Sequence, residues 1–135
     1  MGIIESEQNI RIQDFYELEN RFNLAIPENF KKLYLKYNGG IVESGNEIVN
    51  QLFSLKYGEN SLESVRTLMQ IIEDNIEKEY LIFANDGIGN YIAINVDKYN
   101  NNFGKIFLFR HDELEPEIIA DSLEALLGVK SMDEL

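Results

Sequence analysis

The residues of this chain that could do chemistry fall in two places. The first is Asn85-Asp86-Gly87-Ile88-Gly89-Asn90, a loop that sets a carboxylate among glycines. Glycine-rich loops cradle phosphates, and a loop carboxylate can hold a cation. The second is the stretch from His111 to Asp121, where the only histidine stands beside Asp112, Glu113, Glu115 and Glu117. A histidine with a carboxylate suggests acid–base work, and paired carboxylates suggest a hydrolase. Neither set is complete. The loop lacks the third glycine of a dinucleotide fingerprint and leads into a strand where that motif opens a helix. It also lacks the Lys-Ser/Thr of a P-loop and the alternating acids of an EF-hand. The chain has no cysteine to serve as nucleophile, and its serines show no nucleophile-elbow spacing. One histidine with scattered carboxylates supplies too few donors for a transition-metal site. The acids of 112–121 are spaced like an exposed linker, with nothing to bury one and raise its pKa. The loop therefore reads as a turn that needs positive φ, and His111 as a strand-end residue hydrogen-bonded locally. No catalytic residue, metal or cofactor is expected.

Charge says more about partners. Twenty-four acids against twelve bases give a net charge of −12, and residues 112–135 alone hold eight acids and one base. Nucleic acid needs Lys and Arg to neutralise its phosphates, so this surface repels it. An anionic membrane is disfavoured for the same reason. A basic protein partner is favoured, because opposite fields steer encounter. Acidity that serves solubility alone remains the competing reading. Tyr57, Tyr91 and Tyr99 stand near turns, where an aromatic either anchors an interface or packs half-buried. No apolar run approaches the ~20 residues of a membrane span, and the first residues carry neither a basic leader nor an apolar core. A cytoplasmic protein is expected.

The elements that position these residues follow from periodicity. Asp14 stands three before Glu17, a capping-box variant, and Phe15, Leu18 and Phe22 follow at helical spacing. Pro27 suits a first helical turn, and Phe30, Leu33, Tyr34 and Tyr37 give one apolar face with Lys31, Lys32 and Lys36 off it. Asn38-Gly39-Gly40 ends that helix. Short strands are expected at 41–42 and 48–49 across a Gly45-Asn46 turn, and a better one over 52–55. A central helix is expected from Leu62 to Ile72. Strands over 80–84, 91–96 and 105–110, joined by short turns, predict an antiparallel meander. Asp112–Glu117 reads as an acidic link to a last short helix holding Leu123, Leu126 and Leu127, stopped at Gly128. No repeat or linker divides the chain. The expectation is one α+β domain over 1–135, with a core of about 12–128 and arms at 1–11 and 129–135.

Two of these stretches carry a family pattern. Ile26-Pro27-Glu28-Asn29-Phe30 running into Asn38-Gly39-Gly40, and Phe83-Ala84-Asn85-Asp86-Gly87-Ile88-Gly89-Asn90, resemble the corresponding elements of the SUKH superfamily. Ile106 to Asp112 resembles its next strand, and Ile119 to Leu127 its closing helix. That superfamily includes bacterial toxin-immunity proteins and a fungal cell-wall-synthesis regulator. The departures are in packing: Leu123 stands where Phe is usual, and there is no Trp. The resemblance implies an α+β fold without enzymatic activity, and a protein that binds and neutralises a cognate toxin. Combined with the charge, it points to a basic toxin domain such as a nuclease. The partner-facing residues expected on that basis are Glu43, Glu47, Asp86, Asp97, Asp112, Glu113, Glu115 and Glu117. A regulatory scaffold unconnected with a toxin is the alternative.

Overall fold

Phe15 and Leu18 bury one side of α1 (Ile12–Phe22). Phe30, Leu33 and Tyr34 do the same for α2 (Glu28–Lys36), each with no exposed surface. In the computed structural model, which describes residues 2–43, 48–58, 61–62, 79–110, 113 and 115–135, these helices pack on an antiparallel sheet. Among the described residues the sheet has seven strands: β1 (Ile3–Ile4), β2 (Gly40–Val42), β3 (Gln51–Leu52), β4 (Tyr80–Asn85), β5 (Tyr91–Asn95), β6 (Ile106–Phe109) and β7 (Glu117–Ala120). They lie side by side in chain order, every neighbour antiparallel. A short helix, α3 (Leu123–Leu127), and a 3-10 turn (Met132–Glu134) close the described chain. The expected α+β class and the meander of 80–110 are both present.

Aromatic packing joins the layers. Phe30 stacks on Tyr34 with ring centroids 4.4 Å apart and meets Phe83 edge-on at 5.4 Å. Burying a ring of this size contributes about 2–3 kcal/mol over leaving it exposed. The Tyr34 hydroxyl donates to the Phe53 carbonyl at 2.6 Å, and burial pushes its phenol pKa up. Phe83 reaches this cluster because β4 bulges. Ile82 pairs with Ala93 but Ala84 with Ile92, so Phe83 has no opposite number. An extra residue breaks the alternation of faces locally; Leu81 to Ala84 are all buried, as are Ile92 to Asn95 of β5, which carries no extra residue.

Several expectations need correcting. α1 begins at Ile12 with Arg11 as its cap, so Asp14 sits inside the first turn and not before it. From there its carboxylate accepts the Arg11 backbone N–H at 2.8 Å and pairs with Lys56 at 3.3 Å. Lys31 is buried, contrary to its place off the apolar face. Its stem lies along the α1–α2 interface, and its ammonium sits between Glu19 (3.6 Å) and Glu28 (3.5 Å). The partner of β2 is Gln51-Leu52, and 48–49 lies outside any strand. Regular pairing of 52–55 stops at Leu52, although the Phe53 N–H still donates to the Phe83 carbonyl at 2.8 Å. The acidic link runs into a strand, since Glu117 opens β7, whose Ile118-Ile119 pair suits a pleated surface. Beyond buried Leu62, the expected central helix lies outside the described residues.

Candidate interaction surface

Alternating strand direction decides which loops meet. In a seven-strand meander, the starts of odd strands and the ends of even strands share one end of the sheet. That end collects Gly2 and Glu43 beside β1 and β2, Asn50 before β3, and Asp86 and Asn90 between β4 and β5. Arg110 after β6 and Glu115 before β7 complete it. Of the eight expected residues, Glu43, Asp86, Glu113, Glu115 and Glu117 lie there. Asp97 follows the end of β5 and lies at the opposite end of the sheet. Glu47 and Asp112 fall outside the described residues, as does His111.

The spacing decides what the gathered acids can do. Glu43 follows β2 and Glu117 opens β7, five strand positions away, or about 24 Å at ~4.8 Å per strand. That is too far for shared acid–base chemistry. It fits a protein interface, in which ~800 Å2 per partner covers a patch roughly 30 Å across. Glu43, Glu113, Glu115 and Glu117 are exposed. The base beside them, Arg110, pairs with Glu117 at 2.5 Å and with Glu113 at 3.7 Å, leaving the corner net negative.

Asp86 is tied into its own loop. One carboxylate oxygen accepts the N–H groups of Ile88 (2.9 Å) and Asn90 (3.1 Å), and the other accepts the Asn90 side chain (2.8 Å). Gly87 and Gly89 supply the positive φ, +81° and +100°, that folds the backbone around it. Partial burial works against ionising this carboxyl, but the three donors outweigh burial and hold its pKa below the ordinary carboxylate value. Asp97 is also bonded within its own loop, accepting the Tyr99 N–H at 3.0 Å.

Asp86 therefore favours the folded state only while charged. Its contribution is present above about pH 4, where an unfolded carboxyl is ionised, and is lost as pH falls through the lowered folded value. Asp86→Asn keeps an acceptor but sets an amide against the Asn90 amide. The urea-midpoint gap between wild type and this variant should correspond to about 1 kcal/mol at pH 7 and close as pH falls through the lowered folded value. A pH-independent gap would show that charge has no part in it.

The sequence reading missed the apolar members of this end. Ile88, at the hairpin tip, is 78% exposed, and Ile48 is also exposed. An isoleucine between two glycines in a turn was the available signal, since loop tips are ordinarily polar. Tyr99, 86% exposed, lies at the opposite end with Asp97, while Tyr91 is half-buried against Phe53. A groove of about 410 Å3 also runs past Glu5, Glu7, Ile41 and Gln51, and nothing in the ambiguous spacing of residues 1–13 marked it. Among the described residues no three His, Cys, Asp or Glu side chains stand close enough to hold a metal ion. No described helix is long and apolar enough to cross a membrane.

A family model described as SMI1 / KNR4 family (SUKH-1) matches residues 9–128. The chain belongs to that family. No curated protein matches it. Two of the motifs that carry the SUKH resemblance do structural work here. Asn38, 1% exposed, donates to the Gln8 and Lys56 carbonyls and accepts the Leu55 N–H, all at 2.8 Å, so one side chain ties three segments together. Asp86 and Asn90 fold the hairpin tip. The remainder of that sheet end consists of exposed carboxylates and exposed isoleucines.

Proposed function

We propose that this chain is a non-enzymatic immunity protein, acting in the cytoplasm, that binds and neutralises a cognate toxin with a basic active domain, most simply a nuclease. The observation that carries the reading is the acidic sheet end of a SUKH-1 chain, where Glu43 and Glu113, Glu115 and Glu117 lie on either side of Ile88 in strand order. An apolar centre within a charged rim is the anatomy of a protein interface. Carboxylates spread over about 24 Å match the phosphate-binding surface of a nuclease, and they would steer it into place and cover its active site. Glu47 and Asp112 are proposed to join them, with Asp86 shaping the tip.

The test is co-expression with any reading frame beside its gene that is toxic on its own. Growth should be restored, and binding of the purified pair should weaken at least about tenfold between 50 and 500 mM salt. Undiminished toxicity would reject immunity in favour of a regulatory scaffold. Restored growth with salt-independent binding would reject the electrostatic part alone.

A further inference from the structure

The two edges of the sheet differ. β1, at one edge, has two residues, too few to template another strand. β7, at the other, has four, Glu117-Ile118-Ile119-Ala120, and pairs only with β6 among the described residues. Alternate residues of an edge strand turn their backbone groups outward, so this edge offers about two N–H donors and two carbonyl acceptors. Proteins blunt such edges with charged side chains, above all lysine, with proline, with bulges, with very short strands or with a cover. β7 has no lysine or proline and one charge, Glu117, which is exposed; Ile118 is 47% exposed. A bulge at Ile119, where Phe107 pairs with Ile118 and Ile106 with Ala120, twists the strand, and no described strand pairs beyond it.

Charge selects what can add there. Glu113, Glu115, Glu117 and Asp121 are exposed along or beside the strand, and Arg110 is paired with two of them. A second copy adding through the same edge would set these acids against their own duplicates, and like charges across a ladder are destabilising. An extended segment rich in Lys or Arg meets the opposite situation. We propose that the edge of β7, unpaired among the described residues, receives an extended basic strand of the partner protein as an eighth strand. Backbone hydrogen bonds supply the attachment, Ile118 an apolar contact, and the flanking glutamates the selection against self-association. The inference deepens the proposed immunity function by naming how the partner attaches, and it rests on that reading only for the partner being a toxin.

The probe is a capped hexapeptide alternating lysine and valine, compared with a copy N-methylated at alternate residues, which has the same charge but cannot form a ladder. With the full chain, the first peptide should slow exchange of outward-facing β7 amides at least tenfold, and the methylated copy should not. A combined Glu113→Gln, Glu115→Gln, Glu117→Gln variant should bind the first peptide several-fold more weakly. Equal perturbation by both peptides, protection centred away from 117–120, or a free chain that already sediments as a β7-paired dimer would overturn the inference. The complex with the neighbouring toxin separates the two proposals. Neutralisation with β7 amides exchanging as in the free chain removes the edge and keeps immunity. Peptide addition at β7 without neutralisation keeps the edge and removes immunity.

Discussion

Gly39→Ala is expected to destabilise the chain by about 3 kcal/mol or more and lower its thermal midpoint by roughly 10 °C. Gly39 has φ +77°, where a side chain costs ~1 kcal/mol or more before any contact is considered. The larger part is steric. A Cβ at this position would lie 2.7 Å from the Ser54 nitrogen and 2.9 Å from both the Leu52 oxygen and the Phe53 carbonyl carbon. All three are backbone atoms, so no rotamer change relieves the overlap; β2 and β3 must separate. Their separation would also pull Asn38, the neighbouring residue, from the Lys56 carbonyl and the Leu55 N–H, leaving buried groups unsatisfied. Gly104→Ala is the matched control. Gly104 has a similar φ of +83° with nothing within 4 Å of the added carbon, so it should cost only about 1 kcal/mol. Urea denaturation of both variants measures the difference, and equal losses would show that φ alone, not close approach, requires Gly39.

Some of this was legible in the sequence because it is local. Phe15, Leu18, Phe30, Leu33 and Tyr34 repeat at the helical period, and each is buried where that period puts it. The 80–110 meander follows from apolar runs broken by Gly and Asn, and its three strands stand close to the expected bounds. What was not legible depends on partners distant in the chain. The role of Gly39 is set by Leu52 to Ser54, and that of Asn38 by Gln8, Leu55 and Lys56. A helix-ending reading of Asn-Gly-Gly could not contain either, and the helix itself closes at Tyr37 in an extended conformation. The grouping of the site acids was hidden for a related reason. Which end of an antiparallel sheet a loop occupies depends on how many strands precede it. With β7 read as a link and 48–49 as a strand, the strand count could not place Glu43, Glu113, Glu115 and Glu117 at the same end as Asp86. Asp97, a strand length from Asp86 across β5, was separable from the expected meander alone.

That difference in position yields the second large effect. Neutralising Glu113, Glu115 and Glu117 together to glutamine should slow association with the basic toxin domain about tenfold or more at low salt. Neutralising Glu17, Asp97 and Asp133 to the corresponding amides should change it by less than about twofold. Both triple variants carry the same net charge, so any solubility or bulk-field effect is common to them. Only the first set lies at the acidic end of the sheet; Asp97 follows the far end of β5, and Asp133 lies in the 3-10 turn whose Met132 carbonyl is bonded to Lys36, at the far end of α2. Removing the first set also releases Arg110 from Glu113 and Glu117, which takes the net negative charge off the corner that faces a basic partner. Steering acts over a Debye length, ~8 Å at physiological ionic strength, so the gap between the two variants should narrow as salt is raised. Stopped-flow association rates for the two variants at two salt concentrations measure it. Equal slowing by both sets would mean that total charge, and not this surface, draws the partner in, and the acidic sheet end would lose its place in the proposed function.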